Sequence, residues 1–179
     1  MAAPAQPSLV ELFIARATEA AASVGRVSRS PQAIRAAIEG VAEGVRSIVV
    51  GATEFLPGGL LSTVRAMPGV LTKPTDEQLA TADAGVTEAF AGIARTGSIC
   101  ISLGGWRAQA SLLMPLHVAL LSADRIVTRP RELFEPSGIG QEAMSRNLAI
   151  VTGPSATADM GPLVRGVHGP HRLHILVLE

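Results

Sequence analysis

Five short runs of the 179-residue chain are apolar at consecutive positions and do not alternate with polar ones: "SIVVGA" (47–52), "SICISL" (98–103), "HVALL" (117–121), "NLAIV" (147–151) and "RLHILVLE" (172–179). A strand with one wet face alternates with a period of two, whereas a strand covered on both faces is apolar throughout. Helical patterns lie between these runs, so the expected fold is α/β, a three-layer arrangement with a parallel-dominated sheet between helices. In such sheets ligands bind beyond the carboxyl ends of the strands.

The amino-terminal part reads differently. "SLVELFIARATEAAASVG" (8–25) opens on Ser8 with Glu11 three positions on, the pattern of a capping box, and predicts a helix stopping at Gly25. Pro31 stands at the first-turn position of a second helix with Ile34, Ala37, Ile38 and Val41 on one face. Residues 1–45 are therefore expected to form a helical arm and 46–179 the α/β domain, one globular unit overall. Gly and Pro crowd 56–78, which reads as mostly loop. "GVTEAFAGIARTG" (85–97) suggests a strand end followed by a short helix starting near Thr87 or Glu88, "GGWRAQASLLMP" (104–115) a loop, and about 137–146 another helix.

Equal numbers of basic and acidic residues, 15 each, create no net field to draw nucleic acid or an anionic membrane, and with 3% aromatics there are few rings on which bases could stack. No apolar run approaches the length of a membrane span, and the opening residues do not read as a signal peptide, so a cytoplasmic location is expected. Cys100 is the single cysteine and sits in an apolar strand, where it reads as a small core residue; no disulfide and no iron-sulfur cluster of the usual four thiolates is expected.

"TGPSATADMG" (152–161) follows directly on an apolar strand. Gly153 and Pro154 force a turn there, and Ser155, Thr157 and Asp159 either satisfy their own backbone or join exposed amides in a concavity suited to a phosphate or carboxylate. Thr87 and Glu88 read as helix caps or, with Glu88 as base, as one edge of a cleft walled by Thr96, Gly97 and Ser98. Arg107 beside Trp106 is either a solvated side chain or a clamp for an anionic group. His168, His171 and His174 are broken up by Gly169 and Pro170 and lack companion thiolates, so no metal site is expected; His168 stays a candidate for one polar ligand contact. The P-loop, G-x-G-x-x-G and G-x-S-x-G patterns do not occur.

"TGPSATAD" followed by "GVHGP" and a terminal strand, with "DAGVTEAFAGIARTGSICIS" and "SLLMPLHVALL" ahead of it, resembles the lactate-utilisation protein C family with its LUD domain, over about residues 83–179. The resemblance implies a fold like that of the group holding glucosamine-6-phosphate deaminase, ribose-5-phosphate isomerase and the CoA transferases. It also implies work beside iron-sulfur partner subunits in oxidising L-lactate, this chain holding no cluster and no other cofactor. Gly153, Pro154, Ser155, Thr157, Asp159 and His168 carry over as binding-turn residues. Arg95 stands where the family has an acidic residue, and no catalytic glutamate carries over. Expected partners are a small-molecule anion and those subunits, with a homo-oligomer also admitted. The rival readings are a stand-alone isomerase or transferase using Glu88 or Asp159 as base on a sugar phosphate or acyl thioester, and a pure protein-interaction module.

Overall fold

The computed structural model describes residues 7–51, 53–104, 106–136, 139–158 and 162–179, and for Arg107 the backbone. Asp159 therefore lies outside the described residues, as does the Arg107 side chain. In chain order the elements are α1 (Leu9–Glu19), β1 (Ser23–Val27), α2 (Pro31–Val41), β2 (Ile48–Val50), α3 (Ser62–Arg65), β3 (Val70–Leu71), α4 (Asp76–Thr81), β4 (Ala84–Glu88), β5 (Ala91–Ile93) and β6 (Ser98–Ser102). There follow α5 (Arg107–Leu112), β7 (Leu116–Ser122), β8 (Ile126–Val127), α6 (Ile139–Ala143), β9 (Leu148–Val151), β10 (Ala156–Thr157), β11 (Val164–Arg165) and β12 (Arg172–Leu178).

Six strands form the central sheet in the order β1-β12-β7-β4-β2-β3, every pair parallel. The expected α/β fold with a parallel sheet among helices is what the chain adopts. Residues such as Val118, Leu120, Leu176 and Val86 point to one face and pack with Ile34 and Ile38 of α2 and Val64 of α3. Ala119, Leu121, Ile175 and Val177 point to the other, against Phe13 and Ala17 of α1 and Ile99 and Ile101 of β6. That second layer is not purely helical: a four-stranded sheet in the order β8-β5-β6-β9 lies beside α1, with β5-β6 and β6-β9 antiparallel. Its outer side is covered in turn by Leu133 and Ala143, which pack on Phe90, Ile93 and Cys100.

Several local expectations change. The capping box of Ser8 and Glu11 forms as read, but α1 ends at Glu19; Ala21 takes φ 67° and turns the chain into β1, which pairs with β12. The segment expected as a helical arm thus also gives a strand to the central sheet. Residues 84–93, with Thr87 and Glu88, are the strands β4 and β5 and contain no helix. Their alanines favour helix only weakly, and complete burial of both strands between neighbouring layers overrides that preference. "RAQASL" is the helix α5, and α3, β3 and the capped α4 occupy part of the segment read as loop.

Candidate functional site

The run "NLAIV" ends in β9, but β9 belongs to the smaller sheet, where it pairs antiparallel with β6, so the turn after it does not lie beyond the carboxyl ends of the parallel strands as expected. It lies beside their amino ends. A cavity of about 340 Å³ opens there, lined by His117 of β7 and Leu173 of β12, each the second residue of its strand, by Ser111 and Leu112 of α5, by Ile150–Ala156, and by His168–Pro170.

Two sequence motifs build one wall of this cavity together. The Ser155 amide donates to the Pro170 carbonyl (2.9 Å), and the Gly166 amide donates to the Ser155 carbonyl (2.9 Å). The "TGPS" turn and the "GVHGP" loop are thereby tied, and β10 and β11 continue the tie as a two-stranded antiparallel ladder. The Ser155 amide is consequently committed to the fold and offers nothing to an anion; the hydroxyl is the polar group this lining residue has left. Gly153 is required by its surroundings: it has φ +68°, and a Cβ there would stand 2.0 Å from the Ala20 carbonyl oxygen at the end of α1. Gly169 approaches Ser155 closely as well, with a built Cβ 3.1 Å from the Ser155 Cβ.

The other sequence candidates divide. Thr87 is buried and its hydroxyl lies 2.8 Å from Nε2 of His117, which places it directly behind the cavity. Thr96 and Ser98 reach the cavity through Thr152: the Ser98 hydroxyl donates to the Thr96 hydroxyl (2.7 Å) and lies 2.6 Å from that of Thr152. Each hydroxyl carries one proton, so Thr152 is the donor in the second contact and its oxygen stays available as an acceptor. Gly97, with φ +64°, packs its turn against α1, where a Cβ would meet the Ala17 nitrogen at 2.1 Å; its role is structural. Thr157 is half-buried and pairs with Val164 away from the lining residues, whereas the exposed His168 is one of them.

Glu88 is not in the cavity. Strand alternation turns it to the opposite face from Thr87, where its carboxylate accepts from the amides of Glu54 and Phe55 and anchors the segment after β2. The expectation of Glu88 as a general base at the cleft is thus corrected: the side chain is held by backbone amides at the other end of the sheet.

His117, Ser111 and Thr152 are lining residues that the sequence reading did not select. His117 is wholly buried, and burial pushes its pKa from the ordinary 6.5 down to about 4, so the ring is uncharged near neutral pH. Its signal in the sequence was a lone histidine inside an apolar strand. Cys100 is a core residue; burial pushes its thiol up to about 12, far from reactivity. Among the described residues no three His, Cys, Asp or Glu side chains gather where they could hold a metal ion, and no helix is long and apolar enough to cross a membrane.

The LUD domain profile matches residues 10–178, nearly the whole chain. The chain belongs to the LUD-domain family. It is similar to a protein named lactate utilization protein C from Deinococcus radiodurans, 34% identical over 104 residues, 56% of this chain and 49% of that one. A second protein of that name, from Halalkalibacterium halodurans, is 31% identical over 109 residues, 58% of this chain and 47% of the relative. An uncharacterized Neisseria meningitidis serogroup B protein is 33% identical over 98 residues, covering 54% and 42%. The alignments thus span less than half the length of these curated relatives. In fold the chain resembles the crystal structure of a DUF162 family protein from Deinococcus radiodurans, with a TM-score of 0.67, 24% identity and 96% of each chain covered.

Proposed function

We propose that this LUD-domain chain is a cluster-free binding subunit of a lactate-utilisation system, taking a small carboxylate or phosphate-bearing ligand in the cavity between α5 and the "TGPS" and "GVHGP" turns. The observation that carries the reading is the union of those two turns into one wall of a cavity of about 340 Å³. A fold that needed them only as connections would have no reason to spread hydroxyls of Ser155 and Thr152 and the ring of His168 around a single space. That volume is in the range of small-molecule sites, about 300–1,000 Å³. The names of two relatives support the link to lactate, and the solitary buried cysteine fits a subunit that leaves electron transfer to iron-sulfur partners in the cytoplasm.

The test is a thermal-shift and calorimetric screen of L-lactate, pyruvate, inorganic phosphate, sugar phosphates and CoA on the purified chain, since a ligand raises the melting temperature of the state it binds. A saturable shift with a small carboxylate, lost in His168→Ala, supports the reading. A shift with CoA or sugar phosphates alone moves it to the isomerase or transferase class, and no shift with any of them removes the ligand. Lactate oxidation by the isolated chain would overturn the accessory role.

A further inference from the structure

Polar atoms buried in proteins are nearly always paired, and each exception asks for a physical reason. Among the described residues two buried side-chain nitrogens lack a hydrogen-bond partner, His117 Nδ1 and Arg146 Nε. Arg146 is otherwise engaged: its Nη1 donates to Glu54 (2.6 Å) and its guanidinium lies 4.9 Å from the Phe55 ring centre. His117 is different. Its ring is fully buried, one nitrogen is engaged by Thr87, and the other faces no protein partner although the residue lines the cavity.

We propose that His117 Nδ1 is a ligand-recognising atom at the floor of the cavity, forming an uncharged hydrogen bond with an oxygen of a small hydroxy- or oxo-acid. The inference rests on the cavity being a ligand site, and it adds which residue reads the ligand's own oxygen and in what charge state. Three observations converge on it. The strand β7 holds the ring rigidly, because His117 pairs in register with Gly85 and Leu173 on its two sides. Gly85 has no side chain, and α5 presses onto it so closely that a Cβ would meet the Ala110 carbonyl oxygen at 1.9 Å; this seats α5, whose Ser111 and Leu112 line the cavity, against the strand beside His117. Finally, an imidazole kept neutral by its surroundings has one donor and one acceptor nitrogen, so the Thr87 contact decides which role is left for Nδ1. If the Thr87 hydroxyl donates to Nε2, then Nδ1–H donates and suits a carbonyl or carboxylate oxygen. If Nε2–H donates to Thr87, Nδ1 accepts and suits a ligand hydroxyl. Pyruvate offers only acceptors and L-lactate also offers a hydroxyl donor, so the preferred probe reports the tautomer.

The experiment compares the native full chain with His117→Gln, His117→Asn and Thr87→Val, using L-lactate and pyruvate as probes in calorimetry. Glutamine keeps a polar group near the Nε2 position and loses the one at Nδ1; asparagine does the reverse. The expected result is a tenfold or greater weakening in His117→Gln and a smaller loss in His117→Asn. Thr87→Val is expected to change the ratio of lactate to pyruvate affinity, because the tautomer is then no longer set. Independently of any variant, the Nδ1 nitrogen resonance of the native ring should move on saturation with the better probe, which keeps the test decisive should His117→Gln fail to fold. Binding to His117→Gln as tight as native, or a native Nδ1 resonance unmoved by a bound probe, overturns the assignment and leaves the cavity reading intact; Nδ1 would then hold a structural water only. No binding of either probe to the native chain overturns the Nδ1 assignment, and the cavity reading falls with it only when inorganic phosphate, sugar phosphates and CoA also fail to bind.

Discussion

The two ends of the six-stranded sheet handle polar groups in opposite ways. At the carboxyl end, Glu88 accepts from the Glu54 and Phe55 amides, and Arg125 donates to the Phe90 carbonyl (2.6 Å) and to Glu142 (2.8 Å) while lying 4.1 Å from the Phe55 ring centre. Arg146 bonds Glu54 beside the same rings. Charges there meet charges, amides and π-faces. At the amino end, Ser111, Thr152, Ser155 and His168 surround open space, and the fully buried His117 ring has a nitrogen without a hydrogen-bond partner among the described residues. Parallel α/β folds usually place ligands at the carboxyl end. In this chain the contacts of Glu88 and Arg125 gather at that end, and the small sheet delivers its turn to the other.

The contrast can be broken in order of expected effect. Gly85→Ala should be the most damaging, because the new methyl meets backbone of α5 at 1.9 Å and no side chain can give way; a loss of about 3 kcal/mol or more in urea unfolding is expected, with the cavity floor displaced. Glu88→Ala leaves two amides without their carboxylate and should cost about 2–4 kcal/mol. Its effect on pyruvate or lactate affinity, measured on the folded fraction, should be nil, and a parallel loss of binding would show the two ends to be one site.

Acid should act through the amino end. The pKa of His117 is about 4 in the fold and near 6.5 when exposed, so the unfolded chain takes up a proton first as pH falls. The stability owed to the neutral ring is complete above about pH 6.5 and is lost between there and about pH 4. This amounts to roughly 3 kcal/mol from 1.36 kcal/mol per pKa unit. His117→Gln should flatten that part of the stability curve; an unchanged slope would show that the ring is not held neutral. The smallest effect is expected for Ser155→Ala, which keeps the amide and carbonyl bonds to Pro170 and Gly166. Melting should shift by less than about 1 kcal/mol equivalent, while ligand affinity falls several-fold.

Legibility followed the range of the interactions. The cap of α1, the Pro31 start of α2 and the strand β12 were readable because their signals are local. β6 and β9 were not separable from the parallel strands, and β5 lay inside the segment read as a short helix. β6 is buried on both faces, by Phe13 and Ala17 on one and Leu133 and Ala143 on the other, so its sequence is that of a parallel strand although its partners run antiparallel. Thr87 and Glu88, adjacent in sequence, looked like one functional pair; both close the carboxyl end of β4, but alternation along the strand sends their side chains to opposite faces, one to His117 and the other to the Glu54 and Phe55 amides.

From its amino-acid order alone this chain was bound to build a two-sided apolar sheet with helices and to carry turns at "TGPS" and "GVHGP", since apolar periodicity and Gly-Pro geometry act over a few residues. Which end of the sheet receives those turns, which histidine is buried beside them and which carboxylate is withdrawn depend on pairings between residues far apart in the chain, such as Ser23 and His174, 151 positions from each other. No local signal encodes such a pairing, because its free energy exists only once the layers have closed on each other.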